Sequence, residues 1–196
     1  MYRYKSDNMK VIILPGNGCS SVMTSNWYGW LHDRLINECG IDCIVRDMPD
    51  PLHARRSVWI PFIRDTLAAD ENSILVGHSS GAQAALRYTE LYPVRGTILV
   101  SATYSDLNDP HERQSGYYPS GDNTNNLYDF ASMRRNCLRW HQFHSTDDCF
   151  IPVEEAEQIR QGLGLLSPTQ YTLFHDRSHF FDPPVHEIVD AIKSFI

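Results

Sequence analysis

Apolar and polar residues form blocks along the chain that predict strands and helices in alternation. Short aliphatic runs at 11–14, 41–46, 74–76, 96–101, 140–144 and 169–174 have the length of buried strands. Between them, apolar residues at helical spacing predict helices at 26–39, 53–69, 153–162 and 184–196. A further helix is predicted after the third strand, and it ends at about residue 91. Because crossovers between parallel strands are right-handed, this order predicts an α/β fold with one six-stranded, mostly parallel sheet covered by helices on both faces.

One long polar segment, 102–136, interrupts the alternation. It is rich in Asp, Asn, Ser, Gly and Pro and contains four tyrosines. A segment of this length within a compact domain predicts either a small cap over a functional site or an ordinary surface excursion. With 196 residues and 42% hydrophobic side chains, the chain is expected to form a single domain over 1–196.

Composition narrows the possible partners and compartments. The net charge is −7 and the pI is near 5.6. An acidic protein of this kind is not expected to bind nucleic acid or an anionic membrane. The polar N-terminus has no signal-peptide character, and no run reaches the length of a membrane span. Five cysteines without a C-x-x-C pair predict reduced thiols and a cytoplasmic protein. We expect no metal and no other cofactor, since nothing completes a zinc set around Cys39 and Cys43.

The sequence GHSSGA at 77–82 is the strongest chemical signal. It lies between a buried strand and a segment of good helix formers, where G-x-S-x-G indicates the nucleophile elbow of an α/β-hydrolase. The turn needs Gly77 and Gly81, because a Cβ at either would collide with neighbouring backbone. Ser79 is then the candidate nucleophile. Ser80 lies one position off the pattern, and we expect it to contribute its backbone N–H rather than its hydroxyl.

An elbow serine needs an acid and a histidine that follow it in chain order. The loop after the fifth strand offers Asp147 and Asp148, and spacing from the proline that opens the next helix favours Asp148. The loop after the sixth strand offers His175 and His179, and His179 lies further beyond the strand end, where it can reach the elbow. These residues predict a catalytic triad of Ser79, Asp148 and His179.

An acyl-transfer site also needs two N–H donors for the oxyanion. One is expected from Ser80, and the other from the loop after the first strand, with Asn17 favoured over Gly18. The candidate substrate-binding residues for an aromatic-lined pocket are Trp59, Tyr117 and Tyr118.

With these positions assigned, the chain resembles the small α/β-hydrolases of the retinoblastoma-binding protein nine type. The matching stretches are LPGNG (14–18), WYGW (27–30), MPDP (48–51), WIPF (59–62), GHSSGA (77–82), SDL (105–107), ER (112–113), SGY (115–117), STDD (145–148) and SHF (178–180). The resemblance implies a serine hydrolase with the same triad. It further implies a small ester or amide substrate with an aromatic or hydrophobic amino-acid acyl group.

Three positions depart from the family pattern. The animal member binds a tumour-suppressor pocket protein through L-x-C-x-E, but here Ala69 replaces the cysteine, which argues against that partner. Glycines usual in the family are replaced by His144 before the acid loop and by Ser178 before the histidine. The leading hypothesis is a serine hydrolase that forms an acyl-enzyme. A non-catalytic protein-binding module on the same scaffold is the alternative, and acyl transfer or lyase chemistry at the same site is a third possibility.

Overall fold

A central sheet of six parallel strands organises the chain. The computed structural model describes residues 9–119 and 126–196. Strand order is β2-β1-β3-β4-β5-β6, and every neighbouring pair is parallel. The strands are β1 (Lys10–Leu14), β2 (Asp42–Val45), β3 (Ser73–His78), β4 (Gly96–Val100), β5 (Trp140–Ser145) and β6 (Tyr171–Phe174). The predicted α/β fold and its six strands are therefore confirmed.

Seven α-helices accompany the sheet in the described residues. They are α1 (Tyr28–Arg34), α2 (Arg56–Asp65), α3 (Ser80–Leu91), α4 (Pro110–Ser115), α5 (Phe130–Asn136), α6 (Val153–Leu163) and α7 (His186–Ser194). A π-helical segment, Leu35–Cys39, continues α1, and a short 3-10 helix covers Val22–Thr24.

Alternate residues of the strands pack into two separate cores, one on each face of the sheet. Ile12 and Leu75 lie in the core formed with α2, α3, α5 and α6. Val11 and Ile74 lie in the core formed with α1 and α7. Because side chains alternate across a strand, an uninterrupted aliphatic run is what a strand with two covered faces requires.

The polar segment 102–136 is more regular than its composition predicts, since it contains α4 and α5. Both helices are too short to show a periodic apolar pattern. Their start signals are local: Asp109 accepts a hydrogen bond from the His111 N–H, and Asp129 accepts one from the Ser132 N–H. Positions 120–125 lie outside the described residues.

A buried arginine on α3 holds this segment against the body of the protein. The side chain of Arg87 is 1% exposed, and its Nη1 lies 2.6 Å from a carboxylate oxygen of Glu90. Its Nε donates to the carbonyl oxygen of Tyr117 at 2.7 Å, and its Nη2 donates to that of Asn126 at 2.7 Å. The guanidinium also lies 4.1 Å from the ring centre of Tyr128. One side chain thus satisfies the buried carbonyl of Tyr117 and the partly buried carbonyl of Asn126.

We predict that Arg87→Gln lowers the free energy of unfolding by about 3 kcal/mol or more, because it removes the buried cation that pairs with Glu90 and leaves the buried Tyr117 carbonyl without its donor. Arg160 is the matched control. It forms an i,i+3 pair with Glu157 at 2.7 Å and lies 5.3 Å from the ring of Tyr171, but is partly exposed. Arg160→Gln should cost less than about 1 kcal/mol. Urea unfolding of both variants checks this, and equal losses would contradict it.

Candidate active site

The turn between β3 and α3 places Ser79 in a strained conformation. Its φ is 54° and its ψ is −121°, a region that serine rarely adopts. The Ser79 N–H donates to the carbonyl oxygen of Val100 at 2.9 Å, which ties the turn to β4. Strain of this kind persists only where surrounding structure enforces it, and it clusters at functional sites.

Two glycines make this turn possible, as the sequence predicts. A Cβ on Gly77 would lie 2.4 Å from the carbonyl oxygen of Gly81. A Cβ on Gly81 would lie 2.1 Å from the carbonyl oxygen of Leu14, at the end of β1. Both distances are too short for any side chain, so the elbow packs backbone directly against backbone.

Asp148 and His179 are paired beside the elbow. The Nδ1–H of His179 donates to the Asp148 carboxylate, at 2.9 Å from Oδ2 and 3.0 Å from Oδ1. The Asp148 side chain is fully buried, and it also accepts from the Ser101 hydroxyl at 2.8 Å and the Phe150 N–H at 3.0 Å. Burial opposes its ionisation, but the bonds from His179, Phe150 and Ser101 outweigh burial and hold the pKa of Asp148 below its ordinary value.

The competing acid and histidine occupy peripheral positions. Asp147 is exposed, and its Oδ1 accepts from the Ser178 N–H at 2.9 Å and from the Ser145 hydroxyl, so it caps the turn. His175 is exposed and contacts the Thr146 hydroxyl at 3.0 Å. The geometry therefore favours Asp148 and His179 over both rivals.

The structure brings the two residues predicted as oxyanion donors close to Ser79. Ser80 is the first residue of α3, so its N–H has no acceptor within the helix. Asn17 lies on the loop after β1. This loop passes close to Ser79, since a Cβ on Gly16 would lie 3.3 Å from the Ser79 Cβ. The N–H of Gly18 donates to the Pro51 carbonyl oxygen at 2.8 Å and is already used. The N–H groups of Asn17 and Ser80 therefore stay the candidate oxyanion donors.

A buried hydrogen-bond chain links the Asn17 loop to the His179 loop. The Gly16 N–H donates to the Tyr28 hydroxyl at 2.9 Å, and that hydroxyl donates to Nδ1 of His78 at 2.6 Å. The Nε2–H of His78 then donates to the His179 carbonyl oxygen at 2.8 Å. Burial, followed by the nearby His179 imidazole, lowers the pKa of His78 to about 3, so this histidine is neutral.

Ser79 and His179 open on a cavity of about 520 Å³. Of the predicted pocket residues, Tyr118 lines it. Trp59 and Tyr117 do not, since both are fully buried in the core and the indole N–H of Trp59 donates to the Pro49 carbonyl oxygen at 2.7 Å.

Several cavity-lining residues were not predicted from sequence. They are Cys19, Asn26, Thr103, Leu107, Asp109, Glu112, Phe150, Ile151 and Phe181. Phe150 and Phe181 could have been suspected, because each lies within two positions of a predicted triad member. Glu112 lies on α4, whose place over the cavity depends on tertiary packing rather than on any local pattern.

Among residues 9–119 and 126–196, no group of three or more His, Cys, Asp or Glu side chains is arranged to hold a metal ion. Within the same residues, no helix is both long and apolar enough to cross a membrane.

The comparison with known families agrees with this geometry. The model of the family described as "Serine hydrolase" matches residues 11–171, which spans β1 to the start of β6. The chain belongs to the serine hydrolase family. It is 41% identical over 187 residues to Serine hydrolase RBBP9 of Rattus norvegicus, and the match covers 95% of each chain. The chain is thus a hydrolase of the family that its motifs predict.

Solved structures show the same fold. The product of the ydeN gene of B. subtilis superposes with a TM-score of 0.78 at 23% identity, covering 95% of this chain and 98% of that one. A monoacylglycerol lipase of Paleococcus ferrophilus superposes with a TM-score of 0.63 at 17% identity, covering 95% of each chain. At these identities the likeness concerns the α/β-hydrolase fold and not the substrate.

The depressed pKa of His78 predicts a pH effect on stability. In the unfolded chain a histidine binds a proton below about pH 6.5, whereas folded His78 stays neutral down to about pH 3. The unfolded state therefore binds more protons in this window, and stability falls as pH falls from 6.5 towards 3. His78→Gln should remove a slope on the order of 1 kcal/mol per pH unit between pH 6 and 4.5. Urea unfolding across this range measures it, and parallel curves for the two proteins would contradict the assignment.

Proposed function

We propose that the protein is a serine hydrolase that cleaves a small ester, amide or thioester through an acyl-enzyme on Ser79. The observation that carries the proposal is the pairing of Asp148 with His179 at 2.9 Å beside a strained elbow, within one cavity. Since Nδ1 of His179 is held by the carboxylate, Nε2 remains for proton exchange with the reacting groups.

In the first step, the Ser79 Oγ forms a bond to the acyl carbon, and its proton moves to Nε2 of His179. As the tetrahedral intermediate collapses, the bond from the acyl carbon to the leaving oxygen, nitrogen or sulfur breaks, and His179 returns the proton to that atom. Water then repeats the sequence on the acyl-enzyme and releases the acid. Asp148 stays ionised throughout and stabilises the imidazolium, which its lowered pKa favours.

The N–H groups of Asn17 and Ser80 are the proposed oxyanion donors. They come from the loop after β1 and from the first turn of α3, two elements in direct backbone contact through Gly81. Fixed donors of this kind stabilise the negative charge that develops on the former carbonyl oxygen, by roughly 3 kcal/mol each.

The acidic residues of the cavity support the proposal of an amino-acid acyl group with a free ammonium. Among the residues that the structure describes, two carboxylates, Asp109 and Glu112, line the cavity, and no lysine or arginine does. Glu112 accepts from the Tyr118 hydroxyl at 2.8 Å and from the Asn17 side-chain amide at 3.4 Å, which leaves it lone pairs for a further donor. A cationic substrate group near the Asn17 loop suits this charge, and the ring of Tyr118 offers an apolar contact beside it.

Pocket-protein binding through the 67–71 segment is not part of the proposal. Leu67 is 2% exposed and Ala69 is 8% exposed, so two of the three positions that would form such a motif face the core. The five cysteines are free thiols, which fits the cytoplasmic compartment that we propose.

The triad assignment predicts a clear contrast between two adjacent carboxylates. Ser79→Ala should abolish hydrolysis of p-nitrophenyl esters, and Asp148→Asn should lower kcat by about 10³-fold or more because it removes the charge that stabilises the imidazolium. Asp147→Asn is the control and should stay within about threefold of wild type, since an amide oxygen can still accept from the Ser178 N–H. A large loss in the Asp147 variant with little loss in the Asp148 variant would reverse the assignment.

The amino-acyl assignment makes a separate prediction for Glu112. Phenylalanine methyl ester and 3-phenylpropionate methyl ester differ only by the ammonium group. Glu112→Gln should lower the ratio of their kcat/KM values by about tenfold, because a charge-assisted contact is lost for the first ester alone. Glu154→Gln, which alters an exposed carboxylate on α6, should leave the ratio at its wild-type value. An unchanged ratio in the Glu112 variant would exclude this carboxylate as the ammonium site.

A further inference from the structure

Two exposed aromatic rings flank the imidazole of His179. The ring centre of Phe150 lies 5.0 Å from that of His179 at an interplanar angle of 87°, and the ring centre of Phe181 lies 5.4 Å away at 54°. The two phenyl rings are 6.1 Å apart, edge to face. Phe150 is 60% exposed and Phe181 is 40% exposed, although both line the cavity. Two large apolar side chains held together in solvent mark a surface that a ligand can cover.

Because Phe150 and Phe181 pack against His179, the chemistry of this imidazole shows which part of a substrate the two rings would meet. Nδ1 of the imidazole is bound to Asp148, so proton transfer to the leaving group uses Nε2. The leaving atom must therefore come within about 3 Å of Nε2. Substituents on that atom can then reach the two phenyl rings that pack against the same imidazole.

An acidic side chain of the cavity lies away from the two phenyl rings. Glu112 contacts Asn17 and Tyr118, which places this carboxylate on the side of the loop after β1. The two phenyl rings contact His179 instead. The acyl group and the leaving group separate on opposite sides of the acyl carbon, so the two ends of the cavity can select them independently.

We propose that Phe150 and Phe181 form a leaving-group subsite that selects alcohols or amines carrying an apolar, preferably aromatic, substituent. This inference rests on the proposed acyl-enzyme function and adds to it the chemical class of the departing half of the substrate. The two rings contact substrate only before the acyl-enzyme forms, since the leaving group has departed when water attacks. Their contribution is confined to the acylation step.

The test holds the acyl group constant and varies the leaving group. The kcat/KM values for phenylalanine benzyl ester and phenylalanine methyl ester are measured with wild type, Phe150→Ala, Phe181→Ala and the double variant. Because kcat/KM reports steps up to release of the leaving group, the benzyl-to-methyl ratio should fall by about tenfold in the double variant. Leu166→Ala removes a remote side chain that is 82% exposed and should keep the wild-type ratio.

A purely structural role for the rings gives a different result. If they only support His179, truncation slows both esters equally, because the imidazole serves both, and the ratio stays at its wild-type value. That outcome overturns the subsite and leaves the proposed hydrolase function intact. If wild type hydrolyses neither ester, the amino-acyl function fails and the subsite fails with it, so the two failures are distinguishable.

Discussion

The backbone at Ser79 is the constraint on which the rest of the site depends. Holding a serine at φ 54° costs on the order of 1–3 kcal/mol, and the cost is offset by the contact of β1, β3 and α3 through two glycines. That contact allows no side chain at Gly77 or Gly81, so the elbow and the Asn17 loop are fixed relative to one another. Ser79 and the proposed oxyanion donors of Asn17 and Ser80 therefore belong to one rigid unit.

The remaining groups reach this unit because parallel strands all end at the same edge of the sheet. Asn17 follows β1, Thr103 follows β4, Asp148 follows β5 and His179 follows β6, with Ser79 at the end of the central strand β3. Ligand sites of open α/β sheets lie at this edge. The hydrogen bonds through Tyr28 and the neutral His78 cross this edge of the sheet. They connect the loops after β1 and β6 through a buried tyrosine–histidine pair.

The sequence pattern predicted those features that depend only on residues adjacent along the chain. Aliphatic runs gave the six strands, and the elbow motif gave the glycine requirement at two positions, since both are local steric properties. The contacts made by Trp59 and by Arg87 could not be predicted, because each depends on which elements pack together. The same holds for Glu112, which enters the cavity through the placement of a six-residue helix that has no periodic signal. Long-range packing, and not residue type, separated core aromatics from those at the cavity.

Reaction with a fluorophosphonate followed by peptide mass mapping tests the central assignment most directly. We expect one adduct per chain, on the Ser79 Oγ, with labelling lost in Ser79→Ala and strongly slowed in Asp148→Asn, which removes the carboxylate paired with His179. An adduct on Ser80 or on another serine would contradict the elbow assignment. Folded wild-type protein that does not label at all would contradict the acyl-enzyme function and favour a non-catalytic binding module on this scaffold.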